Sequence, residues 1–278
     1  MKKFAGRVAV ITGAGGGIGG ALATELAHRK CHLALVDLNS ESLTKTADSL
    51  AASGVRVTTH QADVTDRNRM EKLPDEIVAA HGGVNLLINN AGITLQKSFM
   101  THSLADWERM IGINLWGVIY CCHFFKPALD AADEAHIVNM SSMAGFIGLP
   151  AQSSYCSTKA AVRAFSESIW AEFNAQGIGV TAVAPGAIKT DMIMATLEES
   201  DDLEVAKKNF EMVQKIGTDA DKAATTILQA VEKNKRQVRI GKDAILIDVL
   251  KRFCPALIHG LFLKVAKKQF NAALTKAQ

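Results

Sequence analysis

Residues 7–19 read R-V-A-V-I-T-G-A-G-G-G-I-G. Arg7 to Thr12 have strand composition and run directly into a glycine cluster. A helical pattern, IGGALATELAHR, opens at its far end. Gly13, Gly17 and Gly19 stand in G-x-x-x-G-x-G spacing. Taken alone, such a cluster is only a turn. Between a strand and a helix it becomes a phosphate cradle, because bare backbone admits a pyrophosphate and the helix N-terminus offers free amides and a positive dipole end. The fragment predicts a strand–loop–helix unit that binds a dinucleotide.

The same alternation continues outward. LALVD (33–37), VRVTTH (55–60), VNLLINN (84–90), HIVNMSS (136–142), IGVTAVAP (178–185) and RQVRIG (236–241) read as strands. Helical patterns separate them: ESLTKTADSLAAS, then RNRMEKLPDEIVAAH with Pro74 opening a second piece, then 103–111, 115–131 and 153–175. Continuously apolar strands joined by helices of this length predict an α/β fold, a parallel sheet covered on both faces. The polar stretch 198–222 reads as a solvated helix or a mobile loop.

Composition narrows the function classes. The 278 residues are 48% hydrophobic and 21% charged, ordinary usage for a chain with a sizeable core. A net charge of +3, without zinc-finger or RNP-like patterns, argues against nucleic acid as a partner. Five cysteines without C-x-x-C spacing argue for reduced thiols and a cytoplasmic setting. Eight histidines form no ligand pair, so no metal is expected. The N-terminal apolar run breaks at Gly13, so neither a signal peptide nor a span is expected there.

Asp37 ends the second strand. A carboxylate there would accept hydrogen bonds from a ribose diol and repel a 2′-phosphate, which favours NAD over NADP. Leu38 follows it at the same rim. Tyr155 and Lys159, in S-S-Y-C-S-T-K-A-A (153–161), lie four apart on a helical pattern, about 5–6 Å between Cβ atoms. Alone, the pair is a surface phenol and a charge. Beside a dinucleotide, the ammonium is expected to lower the phenol's pKa and prepare it for proton transfer.

These separated pieces together resemble the short-chain dehydrogenase/reductase family, over roughly Arg7 to Gly241. The matching motifs are TGAGGGIG (12–19), A-D-V (62–64), N-N-A-G (89–92), Asn114, S-S (141–142), Y-C-S-T-K (155–159) and P-G-A-I-K-T (185–190). The resemblance implies a Rossmann-type doubly wound sheet of about seven parallel strands, with helices on both faces. It implies hydride transfer with a nicotinamide cofactor and a homodimer or homotetramer. Its catalytic group would be Asn114, Ser142, Tyr155 and Lys159, with Ser142 preferred to Ser141 because it lies thirteen residues before the tyrosine. Asn114 would hold a relay water. Gly13, Gly17, Ile18 and Gly19 would cradle the cofactor, Asp63 and Val64 would meet the adenine, and Asn90, Ala91 and Gly92 would line its ribose. Pro185, Gly186, Ile188 and Thr190 would contact the nicotinamide end.

The expected substrate walls are Thr94–Gln96, Met143–Leu149 and Met192–Leu197, including Leu95, Phe146, Leu149, Met192 and Ile193. They are apolar and predict a hydrophobic alcohol or ketone. Two alternatives stand beside this reading: an NADPH-dependent 3-ketoacyl reductase and a non-catalytic NAD-binding regulator. Residues 1–242 are expected to form one catalytic domain. Residues 243–278 would be its basic amphipathic helical extension. From Lys233 onward the chain has eleven Lys or Arg against two Asp. Such a tail is expected to be a lid, an oligomer contact or a peripheral membrane contact.

Overall fold

The computed structural model describes residues 1–276, with the side chains of all but 193, 195, 196, 265 and 268–276. The β-branched, turn-free run VAVIT forms β1 (Val8–Thr12), buried at every position. Then follow α1 (Gly17–His28), β2 (His32–Asp37), α2 (Ser40–Ser49), β3 (Val57–Gln61), α3 (Arg67–His81) and β4 (Leu86–Asn89). The second half contains α4 (Leu104–Ile111), α5 (Gly117–Asp130), β5 (Ala135–Met140), α6 (Ser153–Asn174), β6 (Ile178–Pro185) and the short β7 (Ile188–Lys189). It ends with α7 (Leu203–Ile216), β8 (Thr218–Asp219), α8 (Ala220–Glu232), β9 (Gln237–Ile240), α9 (Lys242–Phe253) and α10 (Pro255–Lys276).

Seven strands form one parallel sheet in the order β3-β2-β1-β4-β5-β6-β9. Successive strand residues point to opposite faces, and each face has its own apolar layer. Ala9, Ile11, Leu33 and Leu35 pack with Leu22 and Leu26 of α1 and Ile227 of α8. Val10, Ala34 and Val36 pack with Met70 and Leu73 of α3, Phe125 of α5 and Val162 of α6. This two-sided burial explains why the strands read as unbroken apolar runs. The order reverses at β1, whose neighbours are β2 and β4. That reversal opens a crevice at the carboxyl ends of the strands, where open α/β sheets bind ligands.

Two local expectations change. Pro74 does not open a second helix: α3 runs unbroken through it. The ring removes one N–H donor, but it lies on the buried face with Met70, Leu73 and Ile77. Between α4 and α5 the chain does not break either; it widens into a π-helical turn, Gly112–Trp116, that carries Asn114. The polar stretch after Leu197 forms α7, capped by the Asp202 carboxylate accepting from Val205 N–H. No helix among the described residues is long and apolar enough to cross a membrane.

Candidate active site

The glycine loop opens onto a cleft of about 520 Å³ at the reversal of strand order. Gly13, Gly17, Ile18, Asp37, Leu38, Asp63, Val64, Asn90, Ala91, Gly92, Thr190 and Met192 all line it. Gly19 does not; its role is close packing, since a Cβ there would come 2.1 Å from the Gly13 carbonyl oxygen. Asn90 seals the seam between β1 and β4. Its side-chain amide donates to the carbonyls of Thr12 (3.1 Å) and Gly13 (3.0 Å), and its N–H donates to Thr12 Oγ1 (3.0 Å). The Asp37 carboxylate is fixed at the rim by two backbone donors, Gly15 N–H at 2.8 Å and Asn39 N–H at 3.0 Å. Sequence reasoning missed Asn39, Ser42, Ile93 and Ile113, which also line the cleft. Asn39 had a signal, because it lies two residues past Asp37 and caps α2. Ile93 and Ile113 look like any core residue.

The expected catalytic side chains are not among the residues that line this cleft; they group with one another, and Asn114 and Lys159 stand behind its Gly92 wall. Ser142 follows β5, while Tyr155 and Lys159 lie in the first turns of α6. The Lys159 ammonium donates to the Met140 carbonyl at 2.8 Å and stands 5.8 Å from the centre of the Tyr155 ring. The two adjacent serines diverge. Ser141 donates to the Lys159 carbonyl at 2.7 Å, whereas Ser142 accepts from Ala144 N–H at 3.1 Å and is a hydrogen-bonding partner of the Tyr155 phenol. Asn114 is fully buried. Its Oδ1 accepts from Ile93 N–H at 2.9 Å, and its amide donates to Ile93 O (3.0 Å) and Thr158 Oγ1 (3.3 Å). A Cβ on Gly92 would stand 3.1 Å from Asn114 Oδ1 and 3.3 Å from Lys159 Nζ. The amide and the ammonium therefore border the same piece of the cleft wall.

The electrostatics differ from the expectation of a lowered phenol. Burial pushes the Tyr155 pKa above its ordinary value, and the hydrogen bond with Ser142 only partly opposes this. Burial also lowers Lys159 to about 8. The ammonium gives its hydrogen bond to Met140 and faces the ring, so desolvation outweighs its pull on the phenolic oxygen. At neutral pH the site contains a protonated phenol beside a lysine that is still mostly charged.

The remaining residues divide. Pro185 ends β6, and Thr190 reaches the cleft, but the Ile188 side chain is buried in the layer under α1 and α8. Among the expected substrate walls, Leu95 is buried and Leu149 half-buried. Phe146 turns its ring to Arg163 and Arg239, 5.7 and 5.9 Å from its centre. Ile193 lies outside the described side chains. Two segments meet at the side of the cleft. The Asp201 carboxylate accepts from Ser98 N–H (2.6 Å) and Thr101 Oγ1 (2.7 Å), and Arg109 pairs with Glu199 through two contacts of 2.9 and 3.0 Å.

A parallel sheet with a glycine-lined crevice, adjoined by a serine, a tyrosine and a lysine, defines a dinucleotide-binding oxidoreductase. Residues 7–201 match the short chain dehydrogenase family, and the chain belongs to it. It is 37% identical to the "Putative oxidoreductase SadH" of Mycobacterium tuberculosis, over 91% of this chain and 92% of that one. It is 34% identical to the 3-oxoacyl-(acyl-carrier-protein) reductase FabG of Staphylococcus aureus, over 82% of this chain and 92% of that one. A short chain dehydrogenase/reductase of Burkholderia phymatum, solved in complex with NAD, superposes with a TM-score of 0.85 at 29% identity, covering 92% of this chain and 96% of that one.

Proposed function

We propose that this chain moves a hydride between NAD(H) and a hydrophobic secondary alcohol or ketone, with Tyr155 as general acid and base. The observation that carries this reading is the grouping of Ser142, Tyr155 and Lys159 with one another, with the Lys159 ammonium behind the Gly92 wall of the cleft. The cleft fits a dinucleotide on its own terms: a strand-to-helix glycine loop for the pyrophosphate, Asp37 at one rim and Thr190 at the other. When bound, the nicotinamide supplies or accepts the hydride. Every proton step belongs to the chain. In reduction, the Tyr155 phenol gives its proton to the carbonyl oxygen, and the Ser142 hydroxyl stabilises the charge developing there. The Lys159 charge then favours the phenolate left behind. Asn114, hydrogen-bonded to both polar atoms of the Ile93 backbone, holds the wall on which the lysine rests.

The Asp37 carboxylate supports NAD over NADP, because a 2′-phosphate would meet an anion fixed in place. Apolar side chains support a lipophilic substrate. Met192 lines the cleft, and the segments that meet at Asp201 expose Phe99, Met100, Leu104, Met194 and Leu203. The relative FabG favours a second reading, ketoacyl reduction with NADPH. Assays with both cofactors and a panel of lipophilic ketones, ketoacyl thioesters and sugars separate the two. Preference for NADPH and thioesters would displace the first reading, and preference for sugars would displace both. Tyr155→Phe is expected to reduce turnover by about 10²-fold or more, with NADH affinity nearly unchanged. Undiminished turnover would remove Tyr155 from its role.

A further inference from the structure

We infer that Asp243, in the first turn of α9, is a positioning residue that sets affinity for the nicotinamide half of the dinucleotide. The inference rests on reading Pro185–Thr190 as the loop at the nicotinamide end. That loop leaves β6 and must turn before Thr190 reaches the cleft wall. Two amides at the turn find their acceptors far along the chain. Gly186 N–H donates to Ile240 O at 2.8 Å, and Ala187 N–H donates to Asp243 Oδ2 at 2.7 Å.

The carboxylate is pressed flat on the loop. A Cβ at Gly186 would stand 2.1 Å from its Oδ1 and 2.2 Å from its Oδ2, so this approach requires glycine. A Cβ at Gly241 would stand 2.3 Å from the same Oδ1. Among the described residues Asp243 forms no salt bridge. Its charge-assisted hydrogen bonding is directed at the loop backbone, the stronger kind of hydrogen bond. The helix that carries it is itself anchored. Asp248, one and a half turns on and almost fully buried, pairs with Arg239 of β9 at 2.5 Å and with Arg252 at 2.9 Å. The C-terminal extension therefore braces the site, although none of its described side chains is in the cleft lining.

The test measures NADH binding by fluorescence and, separately, the binding of ADP, which reaches only the adenine half. Asp243→Ala is expected to weaken NADH about 10-fold or more, the usual effect of losing an outer partner that orients a binding group, and to leave ADP within about 2-fold. Asp243→Asn retains an acceptor oxygen and should stay within about 3-fold of wild type for NADH. Gly186→Ala, which drives the carboxylate off the loop, should reproduce the NADH-selective loss and serves if Asp243→Ala does not fold. Equal losses for NADH and ADP would mean a general structural role and overturn the inference. Thr190→Ala separates the two levels. If it weakens NADH while Asp243→Ala and Gly186→Ala do not, the positioning role fails and the loop reading stands. If none of the three weakens NADH, the loop reading has failed and the inference falls with it.

Discussion

His136 titrates against the fold. It is wholly buried on β5, with Nε2 2.8 Å from Thr181 Oγ1, and that hydroxyl donates to Lys235 O at 2.6 Å. Thr181 is thus the acceptor for the ring, and Nε2 holds the proton. Burial lowers the imidazole pKa from 6.5 to about 3. Below pH 6.5 the unfolded chain takes up a proton that the native chain refuses until about pH 3, so this residue's contribution is lost as pH falls through that window. Between pH 7 and 5 the loss is about 2 kcal/mol. Urea unfolding should register it in wild type and not in His136→Gln. At the active site, Lys159 near 8 is the group that loses its charge first as pH rises. The kcat/KM for ketone reduction should therefore fall above about pH 8, and a flat profile to pH 10 would separate Lys159 from proton transfer. Neither shift was legible in the sequence. Spacing gives the separation of Tyr155 and Lys159, but burial decides the sign of their shifts, and burial is a property of the packed chain.

The π-helical turn at Gly112–Trp116 has a similar lesson at the scale of an element. Hydrophobic pattern announced helices on both sides of it, and the glycine loop, the strands and the α6 pair were equally readable because each repeats at a regular period. One extra residue in a turn leaves no periodic trace, so the widening that directs Asn114 at Ile93 could not be seen. Pro74 misled for a related reason: its cost to α3 is local, while the packing that retains it comes from the other side of the core. The motif puts Ile188 at the nicotinamide end, and its side chain is buried in the layer beneath. Asn114→Ala should leave the part-buried N–H and C=O of Ile93 without their side-chain partner. A loss of roughly 1–3 kcal/mol in denaturant titration is expected, and a change well below that would mean that the turn holds itself.

On the scale of the whole molecule, the described residues of α9 and α10 present an exposed apolar surface. Ile245, Leu246, Val249, Phe253, Leu257, Leu261 and Leu263 are exposed, beside exposed Lys242, Arg252, Lys264 and Lys267. Both acids of this segment, Asp243 and Asp248, are engaged inward. An apolar and cationic face suits an anionic bilayer surface, and it also suits a second subunit. Vesicles rich in anionic lipid should sediment the protein, less so at high salt and less for Phe253→Ser. A dimer in light scattering that Phe253→Ser dissolves, without vesicle binding, would give the face to a partner copy instead. The seam between β1 and β4 has a consequence in time. Ala9 pairs with Leu86, and Asn90 closes the glycine loop from across that gap. On an emerging chain, these hydrogen bonds form only after residues near 90 have left the ribosome. Through at least the first third of its synthesis the nascent protein therefore lacks this clasp on its glycine loop.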